Sequence, residues 1–259
     1  NTAPAVSMVC AAKGYDAHIY LYRYQMEDPK NARLQITQAF GPTVKISSEP
    51  SVYMTEEQIT ELSKTSPDLL HVLSAKMDCQ VEEDTIENSV WLDQIYNPYN
   101  AAGQVSLGEE IYEQLDGQVD AIGCSASSGA SLFGMIKGLA NHDVRPGVIF
   151  GVEPAGSEKY YDFERDMAKY GEFTVSDDKT KIAEAIGLTK WVTEAPIVKA
   201  LLDAGYPDRI YCVSDEEARA MANRLCQEEG IFCGMSSGAN VAVALRIAKE
   251  LGPGKNVVT

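Results

Sequence analysis

Residues Cys124 to Gly134 read CSASSGASLFG and place four serines around Gly129, directly after the apolar run VDAIGC. A helical pattern from about Ser131 to Asn141 follows. Hydroxyls and backbone N–H groups at the start of a helix have no intrahelical acceptor and carry partial positive charge, so such a turn suits an anion. Two further turns of small polar residues share this design: Asn1-Thr2 at the front and Gly234-Met-Ser-Ser-Gly238 near the end. Taken singly, each reads as a helix cap as readily as a ligand site. Their shared position, at the start of a helical pattern, is what directs attention to ligand chemistry.

The elements that must hold these turns alternate along the chain. Helical spacing covers Thr2 to Lys13, Pro29 to Phe40, Thr55 to Ser66, Ala101 to Leu115, Ser131 to Asn141, Ser214 to Glu229 and Gly238 to Leu251. Strand-like runs fall at Ala17 to Tyr22, Thr43 to Ile46, Trp91 to Ile95, Val119 to Cys124, Val148 to Val152, Ile210 to Val213 and Asn256 to Val258. Thr55-x-x-Gln58 and Ser214-Asp-Glu-Glu217 have the form of capping boxes. Pro67 to Asn88 is polar and weakly periodic and is expected to be surface loop, and 155 to 208 is mixed. Apolar, non-alternating strands separated by helices imply a parallel sheet covered on both faces, the α/β class. Ligands then bind beyond the carboxyl ends of the strands, where the serine turn lies. NPYN at 97–100 marks a domain crossing, giving expected domains of 1–97 and 98–259.

The totals narrow the partners. A net charge of −16 over 259 residues argues against a nucleic-acid backbone as partner. No apolar run reaches the roughly 20 residues needed to span a bilayer, and no basic-then-apolar leader is present. The six cysteines contain no C-x-x-C pair, and in a chain of this length they read as reduced, mostly buried thiols in a cytoplasmic protein. His18, His71 and His142 lack ligand spacing with any cysteine, so no metal is expected. The chain starts at Asn1 without an initiator Met and stops in the apolar KNVVT, which reads as a fragment lacking N-terminal and C-terminal segments.

DGQVDAI, the serine turn, GVEP at 151–154, the SDEEA helix opening and EEGIFCGMSSGANVAVAL at 228–245 occur in that order. With NTAPAVSMVCAAKGY at the front, they resemble the fold type II pyridoxal-phosphate-dependent enzymes, nearest the cysteine synthase (O-acetylserine sulfhydrylase) branch. The resemblance implies two three-layer α/β domains with mostly parallel sheets, like the tryptophan synthase β-subunit: a smaller one over 1–97 bearing an asparagine loop and a larger, cofactor-binding one over 98–259. It implies pyridoxal 5'-phosphate as cofactor, a small amino-acid substrate and a homodimer. Ser127, Ser128, Gly129, Ala130 and Ser131 match the family's G-T-G-G-T phosphate loop, with Ser127 and Ala130 standing where the family has glycine. Ser236 matches the serine facing the pyridine nitrogen, where a neutral hydroxyl leaves the ring a weaker electron sink and suits β-elimination. Asn1 matches the asparagine at the cofactor's phenolic oxygen, Thr2 a residue of the substrate-carboxylate loop, and Gln94 a glutamine near that carboxylate. Ala3 stands in place of a family glycine, and Ala185-Ile-Gly187 where the family has G-I-G.

The family's Schiff-base lysine lies upstream of Asn1, so no lysine of this chain is assigned as catalytic. The implied reaction is β-replacement on an O-activated L-serine through an aminoacrylate intermediate. A lyase of the same fold (serine/threonine dehydratase or desulfhydrase) and a non-catalytic regulatory relative stand as alternatives.

Overall fold

The computed structural model describes residues 2–22, 32–47, 49–65, 67–125, 127–155 and 196–259. The chain divides into two compact units, Asn1–Leu92 and Asp93–Thr259.

In the first unit, helix α1 (Thr2–Lys13) ends where Gly14 takes a φ of 75° and Tyr15 N–H returns to Cys10 O at 2.9 Å. Strand β1 (His18–Tyr22) follows, then α2 (Ala32–Ala39) and β2 (Thr43–Ser47). The two strands pair in parallel, with Tyr20 opposite Lys45. Helix α3 (Glu56–Thr65) opens with the expected capping box: Gln58 N–H donates to Thr55 Oγ1 at 3.2 Å and Thr55 N–H to Gln58 Oε1 at 2.9 Å.

The stretch expected to be a loop from Pro67 is instead helix α4 (Pro67–Thr85). Pro67 opens it, a position where the missing N–H is no loss. The helix escaped the periodicity reading because Ser74, Asp78 and Glu82, four residues apart, form a polar stripe along a packed face. Ser74 is fully buried, its hydroxyl donating back to Leu70 O at 2.7 Å.

The second unit begins with a turn where a strand was expected. Asp93 Oδ1 accepts from Ile95 N–H at 2.9 Å and Tyr96 N–H at 3.2 Å, an Asx turn that diverts the backbone from strand pairing. Asn97 caps the short helix α5 (Pro98–Ala102) through Tyr99 N–H. The single helix expected to Leu115 is broken at Gly103–Gln104, and α6 (Val105–Leu115) follows. Then come β3 (Ala121–Ser125), α7 (Ala130–Ala140) and β4 (Val148–Pro154). Beyond 195 lie α8 (Pro196–Asp203), β5 (Arg209–Val213), α9 (Asp215–Glu229), α10 (Met235–Leu251) and β6 (Val257–Val258).

The strands form one sheet in the order β5-β4-β3-β6, every pairing parallel. Successive strand residues point to opposite faces, and both faces are apolar. Ala121, Phe150 and Val152 pack with Ala239, Val243 and Ile247 of α10 on one side. Ile122 and Ile149 pack with Leu132, Met135 and Leu139 of α7 and Leu201 of α8 on the other. Burial on both faces is why the strands read as unbroken apolar runs. Helices α6 and α7 meet backbone to backbone. A Cβ added at Gly108 would stand 2.4 Å from Met135 O, and one at Gly138 would stand 2.4 Å from Val105 O.

Among the described residues no helix is long and apolar enough to cross a membrane. None of the six cysteines forms a disulfide; Cys212 is buried, Cys10, Cys79, Cys124 and Cys233 are partly so and Cys226 is exposed, against the expectation of mostly buried thiols.

Candidate cofactor site

The serine turn occupies the expected position. β3 stops at Ser125, α7 starts at Ala130, and the residues between leave the carboxyl end of a central strand. Gly129 is the N-cap of α7, with φ 79° and ψ −9°, and has no side chain with which to cap it. The N–H groups of the first turn therefore lack a side-chain partner, while Phe133 N–H makes the first helical bond to Gly129 O at 2.8 Å.

The three positions where the resemblance has glycine now differ in kind. Gly129 lies in the left-handed region, and a Cβ there would stand 3.0 Å from Leu201 Cδ1 and 3.5 Å from Ile197 Cγ2. Only glycine suits it. Ser127 and Ala130 do not have positive φ, so a side chain is tolerated at both. Ala130 directs its methyl into the apolar layer with Ile122 and Leu132, leaving its N–H as the group able to meet a ligand. Ser128 is buried, Ser127 half-buried and Ser131 exposed. Donor N–H groups, a forced glycine bend and hydroxyls at the end of a parallel strand fit a phosphate.

Ser236 sits in the first turn of α10, one residue past Met235. The cap there is Gly234, without a side-chain bond, so neither Ser236 nor Ser237 caps the helix. Four residues on, Asn240 Oδ1 accepts a 2.7 Å hydrogen bond from Ser125 Oγ. That bond ties the last residue of β3, where the serine turn begins, to the second turn of α10. Ser236 lies on the same helical face as Asn240, one turn nearer the N-terminus. The turn and Ser236 are thus brought to one end of the sheet. Helix α10 is held against α9 by Arg246 Nη2, which donates to Glu217 Oε2 at 2.6 Å, and by Gly238, whose added Cβ would stand 2.1 Å from Ala218 O. Ser214 caps α9 by accepting from Glu217 N–H at 3.2 Å.

Asn1 and the Ala185–Gly187 segment lie outside the described residues. Thr2 is the first residue of α1, in the first unit. Gln94 is exposed in the Asp93 turn, its carbonyl accepting from Asn100 Nδ2 at 2.7 Å. Cys124, next to the turn, is half-shielded by the layer containing Ile122 and Leu132, and burial pushes its thiol up to about 12. Sequence reading missed Ser125 and Asn240. Their signal was a lone amide in the small apolar run ANVAVAL of a helix that packs on the sheet.

The profile of the family described as "Pyridoxal-phosphate dependent enzyme" matches residues 1–259. The chain is 27% identical over 267 residues to cysteine synthase 2 of Schizosaccharomyces pombe, covering 100% of this chain and 62% of that protein. It is 32% identical over 178 residues to cystathionine beta-synthase of Rattus norvegicus, covering 68% of this chain and 29% of that one. It spans about three fifths of the cysteine synthase and less of the cystathionine synthase. In fold it is similar to a hydrogen sulfide-producing enzyme from Fusobacterium nucleatum, with TM-score 0.68 at 22% identity, covering 99% of this chain and 72% of that one. The profile match runs along the whole sequence, and the serine turn sits at the end of a parallel strand: the chain belongs to the family of pyridoxal-phosphate-dependent enzymes.

Proposed function

We propose that this chain is part of an enzyme catalysing β-replacement on an O-activated L-serine, with sulfide or another small nucleophile. The observation that carries the reading is the Ser125–Asn240 bond, which joins the phosphate-type turn to the helix bearing Ser236. In this reading the N–H groups of Gly129, Ala130 and Ser131 and the hydroxyls of Ser127, Ser128 and Ser131 hold the phosphate oxygens. Ser236 offers a neutral hydroxyl to the pyridine nitrogen. Bound pyridoxal phosphate supplies the electron sink for loss of the substrate α-proton and leaving group. A hydroxyl partner does not enforce a full positive charge on the ring, which favours elimination followed by addition over chemistry needing a long-lived carbanion.

The roles of Asn1 at the phenolic oxygen, and of Thr2 and Gln94 at the substrate carboxylate, rest on the resemblance of their sequence contexts. So does the division into a smaller domain over 1–97 and a larger, cofactor-binding one over 98–259. The proton-moving lysine belongs upstream of Asn1. Relatives with synthase names support a replacement reaction. The absence of disulfides supports a cytoplasmic setting, and the resemblance a homodimer.

The test uses the full-length protein with cofactor. O-acetylserine is added while the visible spectrum is recorded, and sulfide follows. A new absorption band that collapses on adding sulfide, with cysteine released, is expected. Pyruvate and ammonia released without cysteine would replace this reading by lyase chemistry, and an unaltered spectrum by a non-catalytic role.

A further inference from the structure

The first unit holds a cavity that the cofactor reading does not use. It has a volume of about 420 Å³ and lies against β1, β2 and α4. That size falls within the range of small-molecule pockets. Its polar wall is an ordered network. Lys45 Nζ donates to Tyr20 Oη at 2.9 Å and to Glu82 Oε1, and His18 Nδ1 lies 2.6 Å from Glu82 Oε2. Burial works to raise Tyr20, the Lys45 bond opposes this, Glu82 adds to it, and the phenol stands at about 12. Lys45 is paired with Glu82 within the wall.

Asp78 is placed differently. Ser51 Oγ donates to Asp78 Oδ1 at 2.6 Å and fixes the carboxylate, and among the described residues no Lys, Arg or His pairs with it. Among the described lining residues two carboxylates, Asp78 and Glu82, stand against one ammonium, Lys45. The rest of the lining is Val81, Thr85, whose hydroxyl is turned to Val81 O at 2.7 Å, and Ile46, Tyr53 and Ile86, exposed at 48%, 52% and 43%. A protein of net charge −16 also raises the local concentration of cations.

We infer that this cavity binds a small organic cation, an ammonium group on a short branched alkyl chain, with Asp78 as its anionic anchor and Ile46, Tyr53, Val81 and Ile86 around the alkyl part. A charge-assisted hydrogen bond to a fixed carboxylate supplies specificity, and the apolar lining supplies contact area. Every group named belongs to the first unit, so the inference stands apart from the phosphate turn of the second.

The test is calorimetric titration of the full-length, cofactor-loaded protein with N,N-dimethylisobutylamine. This tertiary amine is cationic at neutral pH and cannot form an imine with an aldehyde, so uptake at the cofactor's carbonyl does not confuse the reading. The matching carboxylate, isovalerate, is the control. Saturable one-site binding of the amine and none of the carboxylate is expected, with Asp78→Asn weakening the amine about tenfold. Ile86→Arg, on the exposed rim, should weaken it similarly by bringing in a rival cation, and it decides the matter should Asp78→Asn fail to fold. Absence of saturable binding, equal uptake of isovalerate, or affinity unmoved by either folded variant overturns the inference.

Discussion

Ser125 Oγ donates a 2.7 Å hydrogen bond to Asn240 Oδ1, residues 115 positions apart in the chain. The bond fixes the spacing between the mouth of β3 and the second turn of α10. Asn240→Ala removes the acceptor and leaves a half-buried hydroxyl to find water. The expected loss of stability is about 1 kcal/mol. Cofactor affinity, followed by quenching of protein fluorescence on adding pyridoxal phosphate to full-length apoprotein, should fall several-fold. Unchanged affinity alongside the lost stability would reduce the pair to a structural brace.

Gly129 should tolerate no side chain. Gly129→Ala places a Cβ in the left-handed region, 3.0 Å from Leu201 Cδ1. Backbone strain of about 1–2 kcal/mol is expected, read as a lowered denaturant midpoint. Ser127→Gly and Ala130→Gly occupy positions without positive φ and should not relieve strain. A Gly129→Ala variant as stable as the parent would contradict the geometry of the turn.

Acid should act on the first unit through Glu82. Burial works to raise this carboxyl, but hydrogen bonds with Lys45, Tyr20 and His18 outweigh it and hold it at about 2. An unfolded glutamate titrates near about 4.3, so the unfolded chain takes up the proton first as pH falls. The stabilisation is complete above about 4.3 and disappears toward about 2, amounting to about 1–2 kcal/mol once solvent screening at the half-exposed Lys45 is allowed for. Glu82→Gln should lower stability near pH 7 and flatten the decline between about pH 4 and 2. Parallel acid curves for the two proteins would refute the network's role.

The cysteines should differ sharply in reactivity. Cys226 is exposed, while burial pushes the Cys124 thiol up to about 12. Against an ordinary thiol near about 8.5, Cys124 should present roughly a thousandfold less thiolate at mildly alkaline pH. Timed alkylation with iodoacetamide and peptide mass analysis should find Cys226 labelled early and Cys124 protected in the folded protein. Equal labelling rates would show that the end of β3 is open.

Much of the second unit could be read directly. Its strands are apolar on both faces, and Ser214 announces a helix with its own cap. The first unit was harder. Helix α4 hides its packed face behind Ser74, Asp78 and Glu82, and a periodicity that counts only apolar residues passes over a polar interface. The Asp93 turn mimicked a strand in composition, because a side chain satisfying the next N–H groups leaves no trace in hydropathy.

The residue types alone determined the parallel α/β plan and the strand–turn–helix junction at the serines, since both follow from local pattern: apolar runs, helix starts and small residues at the junction. Folding decided which of those small residues are obligatory. Gly129 is forced by its positive φ and by Leu201, while Ser127 and Ala130 are free to carry side chains. Folding also made the partnerships of Ser125 with Asn240 and of Lys45 with Glu82. Neither pair is adjacent in sequence, and a hydrogen bond acts only over a few ångströms, so only the packed chain could bring them within reach.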